Sequence, residues 1–248
     1  FLYCSMVIQQ PAVKSEIYHK KIGDFMESLG VEYQDISIYI LAFIHRSIVN
    51  EKPDLAPEHN ERLEFLGDAV LELVITDNLF AEFPDKPEGE LTDLRSALVR
   101  GKNLGKIAHE LGVQKYLFLG KGEDQSGGRE NEYILANTME AIIGAIYLDT
   151  DMKEVTKFIH TYIYPSLEEI LKNNLTKDFK TLVQEYTQAE FDITPRYELI
   201  HECGPDHDKH FEIGLFLNHK LIKTGVGSSK KKAQEEAAQN SYYFFTQK

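Results

Sequence analysis

Apolar residues recur at helical spacing through the first two-thirds of the chain. Residues 14–29 put Ile17, Ile22, Phe25, Met26 and Leu29 on roughly one side, and Gly30 follows as a stop. A second helix is predicted from Asp35 or Ser37, either of which can cap it, through Ile40, Leu41, Phe43 and Ile44 to Ser47. Pro53 and Pro57 make residues 50–59 a loop. A long helix is expected from about Glu61 to Phe80, with Leu63, Leu66, Val70, Leu71 and Val74 available for burial. Pro84 and Pro87 interrupt the pattern. Helices resume over residues 88–100 and 102–111, the latter closed by Gly112. Residues 120–129 are glycine-rich and are expected to form a surface loop. Residues 133–148 form another helix, and so do 153–171, where Pro165 should kink or break the run.

The pattern changes after Leu171. Residues 171–177 are polar and aperiodic, which marks a domain boundary. Beyond it a helix is predicted over 178–190, then short strands over 196–201, 211–217 and 220–225. Gly204-Pro205 and Asn218-His219 supply the turns. A closing helix over 230–245 carries Ala233, Ala237 and Ala238 on an inner face. The expected architecture is an all-α domain over residues 14–171, followed by an α+β module over 177–248 in α-β-β-β-α order.

Composition sets limits on this picture. The chain has 248 residues, 42% of them apolar, enough for one large or two modest domains. No apolar run approaches the roughly 18–20 residues that span a bilayer, so no membrane association is expected. Residues 1–4 are short and have no basic segment before them, unlike a signal peptide. Position 1 is not Met, so either Met6 is the start or residues 1–5 are an addition. Cys4 and Cys203 lie far apart, which fits a reducing compartment and a cytoplasmic location. The net charge of −13 argues against a nucleic-acid partner until its distribution is considered. Residues 1–176 hold 17 Lys and Arg against 29 Asp and Glu, whereas residues 177–248 hold 10 against 11. The second segment is nearly neutral and concentrates its positive charge at Lys230-Lys231-Lys232.

Candidate chemistry centres on residues 60–72. Glu61, Glu64 and Asp68 are spaced i, i+3, i+7 and form one helical stripe. Carboxylates on one ridge repel unless a cation sits among them, and oxygen-only ligands suit a hard ion such as Mg²⁺. The alternative is a solvated acidic face. A second segment, 135–141, offers Asn137 and Glu140 as i, i+3 neighbours. Were the two helices to pack together, Glu64, Asp68, Asn137 and Glu140 would converge on one ion, with Glu61 and Glu88 at its margin.

The run Asn-Glu-Arg-Leu-Glu-Phe-Leu-Gly-Asp at 60–68 resembles the signature of bacterial ribonuclease III. The likeness extends through His45-Arg46-Ser47, Glu88-Gly89-Glu90-Leu91, 95–99, the Gly-Gly-Arg at 127–129, and 136–144. The resemblance implies a helical, homodimeric, Mg²⁺-dependent nuclease, with Mn²⁺ substituting. It would hydrolyse double-stranded RNA to 5′-phosphate and 3′-hydroxyl ends with short 3′ overhangs. Ribosomal RNA precursors and structured messenger RNA are the implied substrates. It places Glu61, Glu64, Asp68, Glu88 and Glu140 at the family's catalytic acids, with Glu64, Asp68 and Glu140 as metal ligands. It also places Phe65 at the contact with the partner subunit. Where the family usually has Asp, this chain has Asn137, whose carbonyl still suits a hard cation but removes a negative charge.

Residues 177–248 are similar to the double-stranded RNA-binding domain at Lys180-Thr181-Leu182, Gln184-Glu185, Gly204-Pro205-Asp206-His207 and 225–233. A-form RNA is recognised by shape across about 16 bp, through two minor grooves and the phosphates between them. The resemblance implies RNA contacts from Thr181, Gln184, Glu185, His207, Ser229, Lys230, Lys231 and Lys232. The competing reading is a nuclease-inactive double-stranded RNA-binding protein in which Asn137 marks a decayed site. His201, Cys203, His207 and His210 are too irregularly spaced for a zinc site. The glycines at 120–128 lack the Gly-Lys-Ser/Thr ending of a nucleotide loop, so no nucleotide cofactor is expected.

Overall fold

The computed structural model describes residues 16–52, 58–172, 179–204 and 209–246. They fall into two compact units that divide between Thr176 and Lys177. The first unit is helical: α1 (Glu16–Ser28), α2 (Ile36–Ala42), α3 (Arg46–Glu51), α4 (Glu61–Glu82), α5 (Glu88–Val99), α6 (Gly101–Leu111), α7 (Lys121–Gln125), α8 (Glu132–Asp149), α9 (Met152–Tyr162) and α10 (Ser166–Lys172). The second is α11 (Phe179–Phe191), β1 (Arg196–Cys203), β2 (His210–Leu217), β3 (Lys220–Gly227) and α12 (Lys230–Thr246). No helix among the described residues is long and apolar enough to cross a membrane.

Helix α8 organises the first unit. Leu135, Met139, Ile142, Ile143 and Ile146 are all buried, as expected of a helix that is apolar on nearly every side. Helices α2, α4, α6 and α9 pack around it. Asn131 starts it, its side-chain oxygen accepting from Tyr133 N at 2.9 Å. At its far end Asp149 accepts from the backbone N–H groups of Gln34 and Asp35 and from the Tyr39 hydroxyl. Burial, then that nearby carboxylate, pushes the Tyr39 phenol upward.

Helix α4 meets α8 backbone to backbone. A methyl group built on Gly67 would lie 1.8 Å from Glu140 O, and one on Gly144 would lie 2.3 Å from Leu63 O. No side chain larger than hydrogen fits at either point. Interior glycine costs a helix about 1 kcal/mol relative to alanine. The close approach of two helices is what that cost permits here.

The single helix expected over residues 35–47 is two. Phe43 ends α2, and His45 starts α3 by accepting from Ser47 N–H at Nδ1. The extended residues between them form a parallel bridge, Ile44 to Phe118, which holds the following segment against this turn. The loop expected at 120–129 is also more ordered, containing α7 and a 3-10 turn at Gly128–Glu130. Glu51 accepts from the N–H groups of Lys121 and Gly122, and Arg129 donates to the carbonyls of Gln114 and Leu117. Ile17, expected on the inner side of α1, is 75% exposed, whereas Ile22, Phe25 and Met26 are buried. Leu66 is only half-buried, unlike Leu63, Val70, Leu71 and Val74. The chain breaks between α9 and α10 at Pro165.

In the second unit the strands form one antiparallel sheet in the order β1-β2-β3. β1 and β3 run past their expected ends to Cys203 and Gly227, and β2 starts earlier, at His210. Val183, Leu215, Leu217, Ala237 and Phe245 form the core between sheet and helices. Ala233, Ala237 and Ala238 are fully buried on the inner face of α12. Small residues are needed there because Gly225 of β3 lies so close that an added methyl would meet Ala237 N at 2.2 Å.

Gly67→Ala is expected to lower the unfolding free energy of the first unit by roughly 3 kcal/mol, the upper range for overpacking. Denaturant unfolding followed by circular dichroism, with the isolated transition of residues 177–248 as an internal reference, measures it. A loss below the few tenths of a surface substitution would mean the crossing is looser than described.

Candidate functional site

The N-terminal turn of α4 is fixed by Asn60, a buried polar residue at 3% exposure. Its side-chain amide donates to Ala42 O at 3.0 Å and its backbone N–H to Ile44 O at 2.9 Å. Its own carbonyl accepts from Glu64 N at 2.9 Å. The carbonyls left over where α2 stops are thereby satisfied by the residue that starts α4. Sequence alone does not single out this anchor. A polar residue ahead of a helix normally signals a local cap, and nothing in the sequence says that Asn60 reaches to residue 42 instead.

From this fixed start α4 carries Glu61, Glu64 and Asp68 toward the crossing with α8. Glu61 is exposed and lies 3.3 Å from the Arg46 guanidinium and 3.7 Å from His59 Nδ1. Glu64 is half-buried and Asp68 exposed. On α8, Glu140 is half-buried and Asn137 exposed. Glu88 stands exposed at the start of α5, where Thr92 Oγ1 donates to it at 3.2 Å.

The carboxylates at the crossing act on one another. Burial, then Asp68, then Glu64 raise the Glu140 carboxyl to about 8. Burial and the neighbouring Glu61 also raise Glu64, opposed by a hydrogen bond from Asn137 and reinforced by Asp68. These side chains share a field without closing on a centre. Among the described residues, no three His, Cys, Asp or Glu side chains are drawn together tightly enough to hold an ion. Like charges relax apart, and the energy of bringing them together is recovered only against a positive charge. The donor set, three carboxylates with an amide carbonyl beside them, is the oxygen chemistry a hard divalent cation takes.

In the second unit, Thr181, Gln184 and Glu185 lie exposed on α11 and line a shallow groove with Gln188 and Ala189. Ser229 caps α12, its Oγ accepting from Lys232 N–H at 3.2 Å. Lys230, Lys231 and Lys232 are exposed in the first turn that follows. Lys230 Nζ lies 5.8 Å from the centre of the Phe211 ring, and Lys232 Nζ donates to Ser228 Oγ at 3.3 Å. Lys180 links the two helices by donating to Gln234 Oε1 at 2.6 Å. His207 lies outside the described residues.

Comparison with known proteins places this arrangement. A family model described as Ribonuclease-III-like matches residues 35–167, and one described as a double-stranded RNA binding motif matches residues 179–242. This chain belongs to the ribonuclease III family. The Ribonuclease 3 of Natranaerobius thermophilus is 44% identical over 213 residues, covering 86% of this chain and 91% of that protein. That of Carboxydothermus hydrogenoformans is 46% identical over 204 residues, covering 82% and 87%. The crystal structure of the ribonuclease III nuclease domain from Campylobacter jejuni is similar, with a TM-score of 0.54 at 37% identity, covering 59% of this chain and 96% of that one. The helical unit followed by α-β-β-β-α is thus the architecture of a family of endoribonucleases.

The raised Glu140 carboxyl has a consequence for stability in this ribonuclease III chain. Folded Glu140 keeps its proton up to about pH 8, whereas the unfolded chain releases it near the ordinary value of 4.5. Between those limits the folded state binds more protons, so stability falls as pH rises. The midpoint temperature of the metal-free protein is expected to drop between pH 5 and 8, with Glu140→Gln flattening the slope. Thermal scans of both proteins across that range check it, and an unchanged slope in the variant would refute the assignment.

Proposed function

We propose that this chain hydrolyses phosphodiester bonds of double-stranded RNA, with Glu64, Asp68, Glu140 and the Asn137 carbonyl holding a Mg²⁺ ion for which Mn²⁺ substitutes. The observation that carries this is the glycine-mediated crossing of α4 and α8, which sets carboxylates from distant segments in one another's fields. When bound, the metal supplies a Lewis acid for the phosphodiester and a water of lowered pKa. The protein's part is to hold those oxygens in place. Asn60 fixes the start of α4, and Gly67 and Gly144 fix the distance to α8. Arg46 pairs with Glu61 at the margin of the site. Glu88 is assigned the second marginal position, steadied by Thr92.

The catalytic domain is assigned to residues 14–171 and the RNA-binding domain to 177–248. Thr181, Gln184 and Glu185 would meet one minor groove, His207 the next, and Ser229 to Lys232 the phosphates between them. Lysines in the first turn of α12 add to the positive end of that helix. A homodimer, with Phe65 in the partner contact, would place one site on each strand. Phe65 is 81% exposed, which supports a partner covering it. The products would carry 5′-phosphates and short 3′ overhangs. Precursor ribosomal RNA and structured messenger RNA in the cytoplasm are the proposed substrates.

Glu140→Gln is expected to reduce cleavage of a long duplex in Mg²⁺ by at least about a hundredfold, more than metal-site supporting residues typically cost, while leaving duplex binding intact. Gel analysis of fragment ends and a binding titration measure both. Absence of cleavage by the wild type at every Mg²⁺ concentration would leave a non-catalytic RNA-binding protein. Asn137→Asp is expected to shift cleavage to lower Mg²⁺. Replacing Lys230, Lys231 and Lys232 with alanine should weaken duplex binding. The slope of log affinity against log salt should flatten by roughly 3, since each phosphate neutralised by a lysine adds close to one.

A further inference from the structure

Helix α8 carries a side chain that neither the core nor the acidic site uses. Tyr133 is 76% exposed, in the first turn of a helix whose other aromatic and aliphatic residues are mostly buried. Tyr133, Asn137, Glu140 and Gly144 follow at i, i+4, i+7 and i+11, so they share one helical face. Gly144 and Glu140 meet α4, and Tyr133 lies on the part of that face beyond the crossing. At 1.5 Å per residue, its Cα stands about 10 Å along the axis from that of Glu140. That is within one or two nucleotides of a phosphate held at the acidic cluster. The backbone at Tyr133 is fixed by the helix cap, since Asn131 accepts from Tyr133 N–H.

The surroundings separate this residue from the exposed apolar residues of α4. Phe65, Leu73 and Phe80 recur along one exposed side of that helix, as on a surface for another protein. Tyr133 instead has exposed Glu130, Glu132 and Asn137 close to it in sequence. A cation there would be held by those acids. A neutral phenol presents a hydrogen-bond donor to a phosphate or 2′-hydroxyl without adding to the acidic field, and an aromatic face beside it.

We propose that Tyr133 is a substrate-contacting residue of this nuclease, holding the sugar–phosphate backbone of the duplex beside the cleaved bond. The proposal rests on the reading of Glu64, Asp68 and Glu140 as the catalytic centre. The test is steady-state cleavage of a long duplex in Mg²⁺ by wild type, Tyr133→Phe and Tyr133→Ala, with thermal midpoint and molecular mass measured alongside. Tyr133→Ala should raise KM about tenfold, the worth of one hydrogen bond, with midpoint and mass unchanged. Tyr133→Phe, which loses the same hydroxyl, should raise KM by a similar factor. An unchanged KM in the alanine variant, with wild type and its Mg²⁺ dependence normal, would overturn the contact alone. A loss that tracks a change in mass would overturn it in favour of a protein interface. No cleavage by wild type would overturn the catalytic reading and this contact with it.

Discussion

The first unit depends on two helices touching without side chains between them. Gly67 and Gly144 remove the methyl groups that would otherwise keep α4 and α8 apart, and the crossing then follows from backbone contact. Everything chemical in the unit is referred to that point. Glu64 and Asp68 flank Gly67 on one helix, and Glu140 precedes Gly144 by one turn on the other. A displacement of an ångström between the helices would alter each carboxylate's distance from the others. Close-packed cores transmit such shifts instead of absorbing them. Through the same contact the Glu140 backbone meets Gly67, while its side chain stays half-buried near Asp68 and Glu64.

Around that crossing the structure uses backbone groups stranded at helix ends as its fastenings. Ala42 and Ile44 offer carbonyls to Asn60, Phe43 and His45 bond to Phe118, and Glu51 collects the N–H groups at the start of α7. Buried backbone groups must find partners, and here they find them across long sequence separations. The turn between α2 and α3 is thereby tied both to the start of α4 and to the segment before α7. Glu61 and Glu64 begin the helix that this turn fixes. The second unit solves a simpler problem, with a three-stranded sheet covered by α12 through Gly225 and a row of alanines.

Much of this is legible in the sequence because the signals are local. Periodicity locates the long helices, Pro165 marks a break, and the alanine row names the inner face of α12. The acidic stripe and the Asn137–Glu140 pair are visible as spacings on separate helices. What cannot be seen is the tertiary use of local signals. Residues 35–47 are apolar enough to continue as one helix, and the pairing of Ile44 with Phe118 that interrupts them lies far along the chain. Ile17 keeps helical phase with Phe25 yet stays in solvent, because periodicity states which residues share a side and not how far the core reaches. Gly67 is the available clue to the crossing. A glycine in a helix interior, between two acids, has a cost that usually means another backbone is near.

The charge distribution links the two units' chemistry. A chain of net charge −13 meets a polyanion, and the imbalance lies almost wholly in residues 1–176. With Glu64, Asp68 and Glu140 as the proposed site, an arriving phosphodiester would add negative charge where Glu140 already resists ionising. Fixed lysines at the centre would solve this by neutralising the acids, and would also remove the ligands. In the proposed function a divalent cation would offset that charge while keeping the carboxylates as ligands, so the acidity of the first unit suits the proposed site. Affinity for the polyanion must then come from elsewhere, and Lys230 to Lys232 stand in a unit whose remaining charge is nearly balanced. On the proposed roles, attraction and ion-holding would lie in separate units, so each could be tuned without cancelling the other.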